Sequence, residues 1–185
     1  MVLDGFFQHN PTARGVERFE GPLKGFETLD LNVLDARPHR WRFNLVTGQT
    51  KEESMSDRSM EFGMINGSHG GRKHRYSYNA VGAPGLFAFR SLVKHDLDTG
   101  AEEELHFDDG VYVSETVMAP RDGSTAEDDG YLVTFSSDVI NDRSQCLVFD
   151  AAALEQGPVA KITLPERICS GTHATWASAS RLPSA

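Results

Sequence analysis

The feature that most constrains the fold is a weak internal repeat with a period near 50 residues. Residues 42–48 (RFNLVTG) are echoed by residues 94–100 (KHDLDTG), so the Thr-Gly pair recurs after 52 residues. A fainter third copy begins at residues 147–150 (LVFD), where Asp150 lies 54 residues after Asp96. In each copy a strand-like run ends at a polar turn and a second run follows. Such periods, with several strands per repeat, are typical of β-propeller blades.

The apolar residues come in short runs rich in Val, Phe, Tyr, Trp and Thr, separated by Gly, Asp, Asn or Pro, and this pattern predicts strands. The only predicted helical turn covers residues 151–154. We therefore expect an all-β chain. The predicted strands cover residues 41–45, 49–53, 76–78, 85–89, 91–97, 101–107, 131–135, 146–149 and 159–164.

Three repeats account for the whole chain, whereas closed propellers use typically four to eight blades. Residues 2–4 also resemble the end of a strand whose partners lie upstream. We therefore expect a partial β-propeller, in which residues 1–185 are the C-terminal part of a single domain whose N-terminal blades are missing.

The composition indicates a soluble globular protein, with 185 residues of which 39% are hydrophobic and 24% charged. The N-terminus does not match a secretion signal, so we expect a cytoplasmic location. A formal net charge of −9 argues against nucleic acid as a partner.

Residues 67–75 are basic and glycine-rich but lack the P-loop pattern, and we predict a solvated loop between strands. Cys146 and Cys169 have no metal-binding spacing and are predicted to be free thiols.

Four short stretches, taken together and in order, resemble the carotenoid cleavage oxygenase family, which includes the bacterial lignostilbene and apocarotenoid dioxygenases. A further match, residues 119–121 (APR), lies between the second and third of them. The resemblance covers nearly the whole chain. The four stretches are residues 60–66 (MEFGMIN) with 71–76 (GRKHRY), 113–117 (VSETV), 126–131 (AEDDGY) and 170–176 (SGTHATW).

The resemblance implies a seven-bladed propeller, of which this chain would supply about the last three blades. Members of the family hold iron(II) on the central axis with four histidines, and carboxylates hydrogen-bond three of these. Carried over residue by residue, the last iron ligand falls on His173, and two of the supporting carboxylates fall on Glu61 and Glu115. The other three histidines belong upstream of Met1.

The resemblance also implies an activity, which is oxidative cleavage of a carbon–carbon double bond to two carbonyl products. The partners would be dioxygen and an apolar alkene, either a carotenoid, an apocarotenoid or a stilbene, with Fe(II) as the cofactor and no organic cofactor. No catalytic residue is expected beyond the metal site. Because three ligands are absent, we expect this fragment to be inactive alone. Peripheral membrane contact for substrate uptake stays open.

The spacing of these residues supports the transfer independently. Glu115 follows Glu61 by 54 residues and His173 follows Glu115 by 58, so the three occupy equivalent places in successive repeats. We expect all three to point at the propeller axis, with Glu115 beside His173, since a ligating histidine usually donates its second ring N–H to a carboxylate. The family more often has proline at Gly63 and Thr116, which predicts a looser backbone here.

Two other functions are consistent with the sequence. His106 and Asp108 form an H-x-D pair that, with His173, matches the two-histidine, one-carboxylate triad of 2-oxoglutarate oxygenases, although the repeat does not suit a jelly roll. Alternatively the chain is a non-catalytic propeller fragment that serves as a binding module. Residues 127–130 (EDDG) lack the alternating ligands of a calcium loop and predict a turn.

Overall fold

The computed structural model describes residues 1–10, 31–85, 87–169, 171–179 and 182. Its first sheet has three antiparallel strands in the order β1-β2-β3. A single helical turn, α1 (Leu31–Leu34), precedes the second of these strands. The strands are β1 (Val2–Gln8), β2 (Ala36–Phe43) and β3 (Thr50–Ser54).

The second sheet has nine strands and consists of two antiparallel groups. The groups are joined through a single pairing, between Phe89 and Val113. The first group contains β4 (Glu61–Met64), β5 (Tyr76–Gly82), β6 (Phe89–Asp96) and β7 (Glu102–His106). The second contains β8 (Val111–Val113), β9 (Val117–Pro120), β10 (Gly130–Asp138), β11 (Arg143–Asp150) and β12 (Pro158–Thr163).

These three groups of strands are the blades of a partial β-propeller, and the all-β expectation is confirmed. We call β1–β3 the first blade, β4–β7 the second and β8–β12 the third. In the second and third blades a short inner strand, β4 or the pair β8 and β9, is followed by three longer strands. The first blade has the three longer strands among the described residues.

The sequence repeat corresponds to one turn that recurs between the last two strands of a blade. In the first blade the Asn44 side chain accepts the backbone N–H groups of Val46 and Thr47, and Gly48 donates to the Asn44 carbonyl. Asp96 makes the same three bonds one blade later, with residues 98, 99 and 100. Gly48 and Gly100 both have a positive φ, of 74° and 76°, which a Cβ would strain. The glycine of the Thr-Gly pair is therefore a requirement of this turn.

The third copy of the turn differs, and two local expectations were wrong. Asp150 still accepts the N–H of Ala152, but the chain then continues into a 3₁₀ turn at Leu154–Gln156. The predicted helical turn at 151–154 thus begins later, and helical turns also occur in α1 and at Gly67–His69. Of the strand predicted at 85–89, Gly85 lies in a turn with φ 76°, and β6 begins only at Phe89.

The hydrophobic core lies between the blades. Between the second and third blades, apolar side chains from both groups of strands meet, including Leu92, Phe89, Leu132 and Phe149, each no more than 2% exposed. A smaller cluster of Met60, Val81 and Val93 is covered by Phe6 from the first blade. Packing of one blade on the next therefore supplies the burial.

Candidate metal centre

Glu61 begins β4, the inner strand of the second blade, at a point where that strand carries one extra residue. Glu61 pairs with Ala80 and Met64 pairs with Tyr78, so three steps along β4 oppose two along β5. The extra residue is accommodated at Phe62, whose φ is 52°. A bulge of this kind re-aims side chains that a regular strand would send to alternate faces.

Glu115 lies at the equivalent break in the inner strand of the third blade. Val113 pairs with Ser136 and Val117 with Val133, so four steps on the inner strand oppose three on β10. The Thr134 hydroxyl donates to the Ser114 carbonyl at 3.0 Å and fills the interruption in the ladder. Both glutamates therefore sit where an inner strand departs from regular pairing.

His173 lies in the segment after β12 and beside Glu115. Its Nδ1 is 3.4 Å from Glu115 Oε2, and the same oxygen accepts the backbone N–H of Ala174. The Glu115 side chain is 11% exposed, whereas that of His173 is 80% exposed. The expected pairing of Glu115 with His173 is thus present as a contact. With Nδ1 facing the carboxylate, Nε2 is the nitrogen available to a ligand.

Glu61 is held differently from Glu115. Burial raises the pKa of the Glu61 carboxyl, and the backbone N–H of Phe62, 3.3 Å from Oε2, offsets this in part. Within the described residues no side chain pairs with it. Its neighbour Phe62 nevertheless reaches the imidazole of His173, with ring centroids 5.8 Å apart. Glu61 is therefore close to the site but lacks a histidine of its own.

A small, mainly apolar cavity of about 180 Å³ adjoins this site. Met64 and Val117 border it from the two inner strands, and Trp176 borders it from the His173 segment. An apolar wall of this kind accepts an apolar molecule at little desolvation cost.

The looser backbone expected at Gly63 and Thr116 stays a prediction, but both positions are closely packed. A Cβ on Gly63 would lie 2.8 Å from the Phe6 ring and from Asn79 Oδ1, so Phe6 of the first blade fills that space. Thr116 is 3% exposed, and its Oγ1 has no hydrogen-bond partner in the part of the chain that is described.

The triad of His106, Asp108 and His173 does not form. The His106 side chain is 66% exposed and lies 3.4 Å from Glu104, its neighbour along the same strand. Across the described ranges, no group of three or more His, Cys, Asp or Glu side chains is placed to hold a metal ion. Any complete metal site therefore needs ligands from beyond these residues.

The basic loop and the acidic turn pair with other parts of the protein. Lys73 meets Asp98, and the guanidinium of Arg75 meets Asp96. Residues 127 and 128 form the predicted turn. The Glu127 carboxylate accepts the backbone N–H groups of residues 75 and 76 at 2.8–2.9 Å. These contacts join the loop to the strand end at Asp96, the residue Asp98 and the acidic turn.

Sequence reasoning missed Phe62 and Lys94. Lys94 is 5% exposed and donates to Asp128 across the interface of the second and third blades. The left-handed backbone at Phe62 carries no local signal, because glycine or asparagine usually marks such a position. The odd placement of a lysine inside an apolar strand run was the available clue to the buried pair.

Comparison with known proteins identifies related sequences. The family model of the retinal pigment epithelial membrane protein, RPE65, matches residues 2–178. A carotenoid cleavage oxygenase of Mycobacterium tuberculosis is 36% identical over 152 residues, which cover 77% of this chain and 30% of that protein. Lignostilbene-α,β-dioxygenase isozyme III of Sphingomonas paucimobilis is 30% identical over 164 residues, which cover 80% of this chain and 34% of that protein. The chain spans about a third of the length of these curated relatives.

Solved structures share the fold. A mutant of the Synechocystis apocarotenoid oxygenase superposes with a TM-score of 0.81 at 24% identity, over 95% of this chain and 36% of that one. A cobalt-substituted form of the same Synechocystis enzyme gives 0.79 at 23% identity, with the same coverage. A lignostilbene dioxygenase of Pseudomonas brassicacearum gives a TM-score of 0.73 at 26% identity, over 79% of this chain and 33% of that one.

In the described residues no helix has the length and apolar character needed to span a bilayer.

Proposed function

We propose a function from one premise, which is that this chain belongs to the carotenoid cleavage oxygenase family. The full-length protein that carries it is a non-haem iron(II) dioxygenase. It cleaves a carbon–carbon double bond of a carotenoid, an apocarotenoid or a stilbene, and each carbon of that bond receives one oxygen atom of dioxygen to give two carbonyl products. The observation that carries the proposal is the contact of His173 with Glu115 at the break in an inner strand.

His173 is the iron ligand that this chain contributes. Its donor chemistry fits, because neutral imidazole suits iron(II) and a carboxylate beside Nδ1 leaves the lone pair on Nε2. Iron(II) bound by four histidines would keep open coordination positions, where dioxygen and an alkene can react. Glu115 keeps the imidazole in one tautomer and, through the N–H of Ala174, holds the segment that carries it.

Glu61 serves a histidine contributed by the rest of the protein. A buried carboxylate with no side-chain partner in the described residues is costly unless a donor reaches it. The imidazole N–H of a further ligand, supplied from upstream, meets that need. The apolar cavity beside Trp176 lies where part of the alkene would rest.

The 185 residues alone are a single-domain fragment that does not turn over substrate. One imidazole cannot hold iron(II) tightly, and the described residues supply no further ligand set. For this fragment a non-catalytic role is the second candidate. We place the protein in the cytoplasm and assign it no nucleic-acid partner, given a net charge of −9 and a basic loop whose Lys73 and Arg75 meet acidic residues.

The test is the metal content of the purified full-length protein. His173→Ala should remove most of the iron and abolish alkene cleavage while the fold is kept, since the core between blades is apolar. Glu115→Gln should be milder, with a loss of about 10- to 100-fold in metal affinity or activity, because the amide keeps a contact but loses the charge.

Two substitutions serve as controls in the same assay. His106→Ala and Asp108→Ala should leave iron content and activity near those of the wild type, since His106 is exposed and faces Glu104. The proposal is wrong if His173→Ala retains full iron and full activity, or if His106 and Asp108 prove essential. Dependence on 2-oxoglutarate would also count against it.

A further inference from the structure

Phe62 has a backbone conformation that its side chain disfavours. In the described part of the chain three non-glycine residues have positive φ, namely Asp35 at 50°, Phe62 at 52° and Asp142 at 49°. Aspartate tolerates this region because its short side chain bonds locally, whereas a bulky residue there is an outlier. Such strain persists where the surroundings impose it, and it clusters at functional sites.

The bulge brings the Phe62 ring against the imidazole of His173. The ring centroids are 5.8 Å apart and the planes meet at 82°, an edge-to-face arrangement. The same ring packs edge-on against Phe89 at 5.1 Å and Phe87 at 6.3 Å. Phe62 therefore connects an aromatic cluster of the second blade to the segment that follows the third.

Glu115 and Phe62 contact the His173 ring in different ways. The His173 side chain is 80% exposed, and Glu115 approaches only the Nδ1 edge of the ring. A contact at one edge selects the nitrogen that faces outward but leaves the ring free to tilt about that edge. An edge-to-face partner removes the tilt, since such ring pairs have a preferred geometry. A ligand bond requires the Nε2 lone pair to keep one direction.

We propose that Phe62 is a positioning residue that fixes the plane of the His173 imidazole, and that the left-handed backbone at the β4 bulge exists to place its ring there. The proposal rests on the proposed function, in which His173 binds the metal. Phe62 acts through the imidazole. Its effect is therefore on metal affinity and ligand geometry.

The experiment compares Phe62→Leu with Phe87→Leu in the full-length protein, using Co(II) as the probe. Both variants remove one ring from the same cluster, but only Phe62 touches His173. Phe62→Leu should weaken Co(II) binding by about tenfold, at the low end of the range for groups that support ligands, and should change the visible d–d bands. Phe87→Leu should lower the thermal midpoint and leave affinity and bands unchanged. Phe62→Tyr, which keeps the ring edge, should restore both.

A second readout needs no metal. With the histidine rings labelled with ¹³C in the apo protein, relaxation of the His173 Cδ2 and Cε1 atoms should show a restricted ring in the wild type and in Phe87→Leu, and a looser ring in Phe62→Leu. A wild-type His173 ring that already moves freely overturns the proposal, even if the variants fail to fold. So does a Phe62→Leu protein with unchanged Co(II) affinity and spectrum. A wild type that binds no Co(II) instead overturns the proposed function, and the ring motion still decides the role of Phe62.

Discussion

Replacing Lys94 with methionine should destabilise the protein by about 3 kcal/mol. The Lys94 ammonium is 5% exposed and donates to Asp128 at 2.9 Å and to the carbonyl of Ala152 at 3.1 Å, while lying 4.5 Å from the centroid of the Tyr76 ring. Removing one partner of a buried ion pair typically costs about 3–5 kcal/mol, because the other charge stays behind uncompensated.

Two features of the site set the value within that range. The Asp128 side chain is 23% exposed, so water can partly replace the lost ammonium and the cost falls towards the low end. The interaction of Lys94 with the Tyr76 ring contributes about 0.5–2 kcal/mol that is also lost. Methionine keeps the apolar stem of lysine, so little is added for a cavity.

Lys73 provides the matched control. Its ammonium lies 3.0 Å from Asp98, nearly the same distance as in the Lys94 pair, but the two side chains are 79% and 43% exposed. An exposed ion pair contributes about 0–1 kcal/mol, so Lys73→Met should change the free energy of unfolding by no more than about 1 kcal/mol. Since the two ion-pair distances match, any difference between the variants reports the buried surroundings of Lys94, including its contacts with Ala152 and Tyr76.

The assay is urea unfolding followed by circular dichroism, with the free energy of unfolding taken from each midpoint and slope. A double variant, Lys94→Met with Asp128→Asn, should recover part of the loss because the unpaired charge is gone. If Lys94→Met and Lys73→Met agree within about 0.5 kcal/mol, the buried pair does not join the blades and the reasoning fails.

Three further outcomes are expected. His74 of the second blade lies 3.2 Å from Asp4 of the first, and the side-chain bond to Asp4 raises the pKa of His74. The contact therefore contributes its full stability below the unfolded pKa of about 6.5 and loses it as pH rises through the folded pKa. His74→Gln should cost more stability at pH 6 than at pH 9 in urea titrations. Gly130→Ala should lower the thermal midpoint markedly, because its Cβ would lie 2.5 Å from the backbone oxygen of Ala119, whereas Gly171→Ala should not. Thr116→Val should stabilise the protein by about 1 kcal/mol in the same thermal scan, because the buried Oγ1 has no partner among the described residues. Destabilisation would mean that a group outside the described residues bonds this hydroxyl.

The parts of the fold that could be predicted are those determined by short-range interactions. The repeated turn depends on Asn44 or Asp96 bonding backbone groups two and three residues ahead, and on a glycine that accepts positive φ. The longer strands have enough residues to show a β pattern. In contrast, β4 and β8 have four and three residues and no clear alternation, so periodicity missed them and only the family resemblance marked those stretches.

The contacts that escaped prediction join residues far apart in sequence. Lys94 and Asp128 are separated by 34 residues, and Glu127 reaches the backbone of Arg75 over 52. The sequence contains many acidic residues, and nothing local selects which of them meets a given lysine. The position of the Phe62 ring depends likewise on a bulge in a strand too short to be recognised.

The structure separates the groups that hold the blades together from those at the candidate metal centre. Lys94 lies within β6 and Glu127 in the turn before β10, and their partners are carboxylates, backbone groups and an aromatic ring. Glu115 and Phe62 lie at breaks in inner strands, where regular pairing would have turned one of two neighbouring side chains away. Leu92, Leu132 and Phe149 of the core lie on the longer strands β6, β10 and β11, so an irregular inner strand leaves that core in place. Substitutions at the breaks should therefore affect the metal centre first, whereas Lys94→Met should act on stability.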